Sequence, residues 1–554
     1  MADRVKIGNL EIDAFKVGDN DCKIYLGDIL LYPHTHDYSR DYLTFVSYED
    51  DNIFEFNGYN DNVLSYSLDS GSTWTSGNSV TVNGGETVMW KGSDLVFYDG
   101  EYYTGIGNFA SSAMFEVNGN IMSLIYGDGF VGETDLSGKS YVFLDLFYNA
   151  EYLISAENLS LPAMTLSDGC YSEMFYDCEA LITPPRTLPA TILSDWCYED
   201  MFDGCTSLTT PPELPATTLA EGCYSYMFND CEAIITPPDL PATTLADWCY
   251  ENMFEYCESL TVPPELPATT LTEGCYDGMF YDCISLEEVP VLPATTLADS
   301  CYSDMFWGCS GITSVPSDYL PVTTLADFCY NGMFCGTSIT TPPELPATTL
   351  ANSCYGSMFS GCRSLTSLPE LPATTLADSC YRYMFSNCRS ITSVPSDYLP
   401  ATTLTNYCYS YMFISCTSLT TAPELPATTL TTSCYSNMFY GCTNLTTAPQ
   451  LPATTLANSC YGSMFARCTN LTTAPELPAA ILAQYCYSNM FNGCTSLNSI
   501  TCLATDISAQ YCTEKWLNAV SSSGTFTKAA SMSDWTRGVD GIPASQYWTI
   551  VDAT

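Results

Sequence analysis

The chain has 554 residues, with 63 acidic against 15 basic side chains, a net charge of −48, 29 cysteines and two histidines. That charge excludes a protein that binds nucleic acid by neutralising phosphates, and so few histidines leave little room for imidazole chemistry. Apolar residues at 46% against 14% charged exclude a disordered acidic chain and predict a large core, spread over roughly two to four domains.

The N-terminus, MADRVKIGNLEIDAF, has no basic stretch followed by an apolar run, so no secretory signal is expected. No window approaches about 18 uninterrupted apolar residues, so no membrane insertion is expected. Residues 1–36 read as a β attachment segment. At its end His34 and His36 form an HTH string beside Asp37. In a trimer such a pair can set imidazoles around an axial metal; the alternative is a solvated loop after a strand. Residues 37–131 alternate apolar and polar side chains between Gly, Asn and Asp turns, as in YLTFVSY, NIFEFNG and SVTVNGGETVMW. This predicts an all-β, sandwich-like module.

Residues 132–512 are dominated by a repeat. CYxxMFxxC begins at Cys170, Cys197, Cys223, Cys249, Cys275, Cys301, Cys354, Cys380, Cys408, Cys434, Cys460 and Cys486, and a variant at Cys329 has Thr337 in place of the second cysteine, giving thirteen repeats. Most steps are 26 residues; those of 28 carry the insert SVPSDYLP, which belongs in a surface loop. One such unit cannot bury its own apolar face, so neighbours must stack into a solenoid. Met and Phe, as in Met227 and Phe228, should fill the core. The leucines of CTSLTT (Leu208, Leu260, Leu365, Leu419) should point inward from a short strand that Pro211 and Pro212 would end. Ala220 to Phe228 has the spacing of one or two helical turns. Stacking at ~4.8 Å predicts a rod about 60 Å long. VFLDLFYNAEYL at 142–153 aligns with the repeat, Val142 replacing the first cysteine and Ala150 the second, as an opening coil would. Cys512 keeps phase, with Trp516 and Leu517 in place of Met-Phe, and residues 513–554 read as a C-terminal cap.

CxSLTxxxxLP with an upstream MF pair resembles the BspA-type leucine-rich repeats of bacterial surface proteins and the related repeats of mycoplasmas, over about residues 132–512. The Met before Phe and the constant Tyr after the first Cys are departures. The resemblance implies a leucine-rich-repeat solenoid with a parallel β-sheet and a surface-binding role, and no catalytic residues. KIYLGDILLYP at 23–33 resembles segments near the start of structural proteins of tailed phages of gut bacteria, and GIPASQYWTIVD resembles the end of similar repeat proteins.

Four features carry candidate chemistry. The cysteine ladders are expected to be free buried thiols, since parallel side chains in stacked coils give poor bridge geometry and no CxxC is present. The tyrosines from Tyr171 to Tyr487 are expected to stack with hydroxyls at the rim, either as structure or as a ligand platform. Specificity is expected where repeats differ: Trp196, Trp248, Phe328 and Tyr407 before the first Cys; Tyr226, Tyr383 and Tyr411 after it; Tyr256 and Trp307 after Phe. Aromatics beside Asp and Asn suit sugar rings. Finally, residues 151–309 hold 27 acidic and one basic side chain, against eight and four in 310–500. That asymmetry serves solubility, calcium coordination or docking of a basic partner.

No P-loop, GxSxG or HExxH occurs, so neither an enzyme nor a cofactor is expected. The leading expectation is a phage virion fibre or decoration protein, anchored to a head or tail protein by its N-terminal module. Its solenoid would present side chains to a host-surface glycan or protein. By analogy with phage fibres it would be a homo-oligomer, guessed as a trimer, assembled in the host cytoplasm. The alternatives are a BspA-like adhesin on a bacterial cell surface and an architectural virion protein without ligand.

Overall fold

The computed structural model describes residues 37–98, 104–533 and 535–554, together with the backbone of short strands between Lys6 and Tyr32. His34 and His36 lie outside the described residues. In the N-terminal segment β1 (Lys6–Ile7) pairs with β2 (Leu10–Glu11). There too β3 (Ala14–Val17), β4 (Cys22–Leu26) and β5 (Ile29–Tyr32) form an antiparallel sheet.

The next strands are β6 (Leu43–Ser47), β7 (Asn52–Gly58), β8 (Ser65–Ser67), β9 (Thr75–Ser76), β10 (Ser79–Val82), β11 (Thr87–Lys91), β12 (Gly107–Ser111) and β13 (Phe115–Asn120). One sheet runs β13-β6-β11-β8-β9 and the other β10-β7-β12. Alternation decides which side chains meet between them: in β7 burial switches residue by residue from Asn52 to Phe56. Phe45 sits 5.3 Å from Phe54 and 4.7 Å from Phe109, ring centre to ring centre, closing the core between the sheets. Residue 131 does not separate two cores. β13 pairs in parallel with β14 (Leu153–Ser160), already inside the repeat region, and Phe109 stacks on Phe147 of the opening coil at 5.8 Å.

Each repeat is tied to the next through the backbone of CYxxMFxxC, by an alternation of two bonds. In the repeat at Cys197, Cys197, Met201 and Cys205 donate N–H to the carbonyls of Ser194, Tyr198 and Phe202, closing turns. The intervening residues Trp196, Tyr198 and Phe202 donate to Glu221, Cys223 and Met227 of the following repeat. The segment expected to be helical is therefore a run of turns. The reason is the left-handed residue every fourth position: Trp196 (φ 56°), Asp200 (φ 52°) and Gly204 (φ 73°) here, and the equivalent three in all thirteen repeats. An α-helix cannot accommodate that backbone.

The expected strand at CTSLTT also shrinks. Repeats there and at ATT meet through isolated parallel bridges, such as Thr421 with Thr447 and Thr218 with Thr244. The prolines that follow offer no N–H to widen them. Where prolines give way, at the C-terminal end, a true sheet forms: β15 (Ser499–Cys502), β16 (Gly524–Lys528) and β17 (Trp548–Asp552), all parallel.

The core is a set of ladders. Leu208, Leu260, Leu365, Leu419, Met227 and Phe228 are fully buried, as their spacing predicts. Phenylalanines stack from Phe147 to Phe491 with ring centres 5.2–6.0 Å apart. These steps exceed 4.8 Å because the repeats meet there through turns, and no pleated sheet sets the spacing. The tyrosines also stack, from Tyr171 to Tyr487, but inside the core. The hydroxyls of Tyr171 and Tyr224 are buried without a hydrogen-bond partner, which corrects the expectation of hydroxyls at the rim. The ladder closes on Trp516, which follows Tyr487 at 6.3 Å, faces Trp535 at 5.5 Å and donates its indole N–H to Gly541.

The described cysteines are free and buried. Most second cysteines bond back to the preceding repeat. Cys205 Sγ donates to the carbonyl of Phe175 (3.2 Å), Cys231 to Phe202 and Cys442 to Phe413. Each thiol is a second donor to a carbonyl that already closes a turn: Phe202 O accepts from Cys205 N–H of its own repeat and from Cys231 Sγ of the next. Thr337, in the variant repeat, donates to Phe334 of its own repeat instead. Burial pushes thiols such as Cys170 and Cys178 up to about 12, so they stay protonated.

Candidate functional site

Numbered from the first cysteine, the left-handed positions are −1, +3 and +7. They are among the positions at which the repeats vary, so part of that variation reflects backbone geometry. Gly, and to a lesser degree Asn and Asp, relieve the strain of positive φ. Large rings at these positions need a special setting. Trp196 and Trp248 each lie over the glycine of the next repeat: a Cβ on Gly222 or Gly274 would meet their rings at about 2 Å. Trp196 and Trp248 are thus half-buried lids over glycines, spaced two repeats apart.

The other candidates gather in two groups. Tyr256 meets Tyr281 edge-on at 5.9 Å, and Tyr281 stacks on Trp307 at 5.7 Å, a column beside the acidic half. Farther along, Tyr383 stacks on Tyr411 at 4.4 Å, and the Arg382 guanidinium lies 5.2, 5.5 and 5.8 Å from the rings of Tyr383, Tyr407 and Tyr411. Tyr226 stays half-buried, and Phe328 is exposed. Sequence reasoning singled out the three tyrosines of the second group but not the arginine between them. The available signal was positional: Arg382 sits at +2, where Glu199, Glu251 and Asp277 sit in earlier repeats. Grooves also run between neighbouring proline pairs, one lined by Pro211, Pro212, Ile235, Pro237 and Pro238.

The acidic half carries stacked, partly buried carboxylates. Burial, then neighbouring carboxylates, push Asp200 up to about 8 and Glu199 to about 7. Glu255 and Asp277 rise to about 7 for the same reasons, and Asp304 rises to about 6 by burial. Asp203, also raised to about 6 by burial, accepts from the Asn229 amide at 3.1 Å. Among the described residues no group of three or more His, Cys, Asp or Glu side chains converges as a metal site. Nor is any helix among them long and apolar enough to cross a membrane.

The sequence model of the family described as BspA type leucine rich repeat region matches six copies, over residues 170–313, 249–355, 323–472 and 408–528. No curated protein sequence matches. Among solved structures, a leucine-rich repeat protein from Bacteroides ovatus ATCC 8483 is 17% identical with a TM-score of 0.38, covering 74% of this chain and 86% of that one. TLR13 in its complex with ssRNA13 is 13% identical with a TM-score of 0.20, covering 70% of this chain and 48% of that one. Neither likeness is close enough to argue from, whereas the family match spans well over half of the sequence. The chain belongs to the BspA type leucine-rich-repeat family.

Proposed function

We propose that this protein is a non-enzymatic surface adhesin of the BspA type, with a repeat solenoid that presents variable aromatic and polar side chains to a surface glycan or protein. The observation that carries this reading is the division of labour within each repeat. An invariant Cys-Tyr-Met-Phe interior is fully buried, while aromatics at the variable positions collect into the Tyr256–Tyr281–Trp307 and Tyr383–Tyr407–Tyr411 groups. A constant scaffold with clustered, half-exposed rings is what stacking on sugar faces or partner side chains requires. Binding of the purified full chain to a glycan array and to intact cells tests it. Loss of cell binding on replacing Tyr256, Trp307 and Tyr383 by Ser supports the reading; unchanged binding sinks it.

The second reading is a phage virion fibre anchored by its N-terminal module and oligomeric by analogy. It draws on the short strings at 23–33 and at the C-terminus alone, and none of the family or structural likenesses adds to it. Mass spectrometry of purified virions, or surface labelling of producing cells, separates the two locations.

A further inference from the structure

Arg382 occupies a position built for burial. At the same +2 position Ser172, Ser225 and Ser410 are almost completely buried, and Glu199, Glu251 and Asp277 are partly so. Of the thirteen repeats only the one at Cys380 places an arginine there. Its Nε is buried without a hydrogen-bond partner, and it makes no ion pair with any described residue. The nearest acid in sequence, Asp378, is already engaged: its carboxylate accepts from the backbone N–H (2.9 Å) and the side-chain amide (3.3 Å) of Asn406. A guanidinium is always charged and carries five donors. Three tyrosine rings compensate part of its desolvation through their π faces, but rings supply no acceptor in the plane of the fork.

We infer that Arg382, framed by Tyr383, Tyr407 and Tyr411, is the anchor of a binding site for a carboxylate-bearing sugar, such as a hexuronic acid. The planar fork matches a carboxylate through two parallel hydrogen bonds, and a pyranose face stacks on a tyrosine. The inference rests on the adhesin reading and names the ligand class for one of its aromatic groups. The chain's large negative charge does not forbid it. Ladder steps of 5.7, 6.0 and 5.7 Å separate the repeat of Asp304, where the buried acidic strip ends, from that of Arg382. The resulting separation, roughly 17 Å, is about two Debye lengths at physiological salt.

Isothermal titration of the full chain with three tetrasaccharides tests it: a galacturonate, a neutral galactan and a sulfated galactan. The galacturonate should bind at least tenfold more tightly than the neutral sugar and more tightly than the sulfated one. Arg382→Lys, which keeps the charge but loses the fork, should weaken it about tenfold. Arg382→Ser should abolish the preference, and this variant is expected to fold because Ser410 and Ser436 hold the same position next door. Equal affinity for galacturonate and neutral sugar, a preference for the sulfated one, or an unchanged Arg382→Ser variant overturns the inference while leaving the adhesin reading standing. So does failure of all three sugars to bind when the chain still adheres to cells. Loss of cell adhesion by a variant with only Tyr256 and Trp307 replaced by Ser, which leaves the Arg382 group intact, tests the broader reading separately.

Discussion

Gly222→Ala should destabilise this protein far more than a glycine substitution on the same backbone elsewhere, because Gly222 lies beneath the ring of Trp196. Two terms add. Gly222 has φ 55°, where a side chain costs about 1–2 kcal/mol, offset by about 0.4–1 kcal/mol from the stiffer unfolded chain. The new Cβ would also lie 2.0 Å from two Trp196 ring atoms, so the indole must swing away. Exposing about 100 Å² of a half-buried tryptophan costs roughly 2.5 kcal/mol. The total is about 3 kcal/mol. Gly361→Ala is the control: φ is 74°, but the nearest atoms are the Cα and N of Gly336, at 3.5 and 3.6 Å. It should cost only about 1 kcal/mol. Urea unfolding followed by circular dichroism and tryptophan fluorescence reads both. Adding Trp196→Ala to each should erase the difference, giving a coupling of about 2 kcal/mol between positions 196 and 222. If the two glycine variants agree within about 0.5 kcal/mol, the ring-over-glycine account of Trp196 is wrong.

Other outcomes follow from the same packing. Tyr224→Phe removes a buried hydroxyl that has no partner, so it should be neutral or stabilising by up to about 1–2 kcal/mol; destabilisation in urea melts would mean that the hydroxyl is satisfied. Thiol titration of the native chain should find no reaction at the 28 buried cysteines, with all 29 reacting in denaturant; rapid native labelling at Cys205 would contradict its burial. Thermal stability should fall between pH 5 and pH 8. Burial raises Asp200 to about 8 and Glu199, Glu255 and Asp277 to about 7, above the ~3.9–4.3 of the unfolded chain. The folded state therefore binds more protons in that window and loses the advantage as they leave. Asp200→Asn should flatten the profile, and a higher melting temperature at pH 8 than at pH 5 would refute the assignment.

Much of the fold was legible because a repeat announces its own contacts. Residues that recur every 26 positions must meet their counterparts, so Met227, Phe228 and Leu208 could be placed inside before any coordinate was known. The backbone was harder. Ala220–Phe228 has apolar spacing compatible with a helical turn, and only the bonds to the next repeat reveal the alternating turns instead. The binding surface was half legible. Tyr383, Tyr407 and Tyr411 stood out by type and variability, and Arg382 directly precedes Tyr383, but only the stacking of the next repeat brings Tyr407 and Tyr411 to its guanidinium.

By itself the sequence determined the period, the buried ladders and the distinct ends, since each follows from one small unit that cannot bury its apolar face alone. Only the tertiary structure decided what the variable positions are for. Positive φ at −1, +3 and +7 fixes which residues fit without strain, and the neighbouring repeat fixes whether a ring there covers a glycine, as Trp196 does, or joins a cluster, as Tyr411 does. Both depend on residues some 26 positions away in the chain and one ladder step away in space.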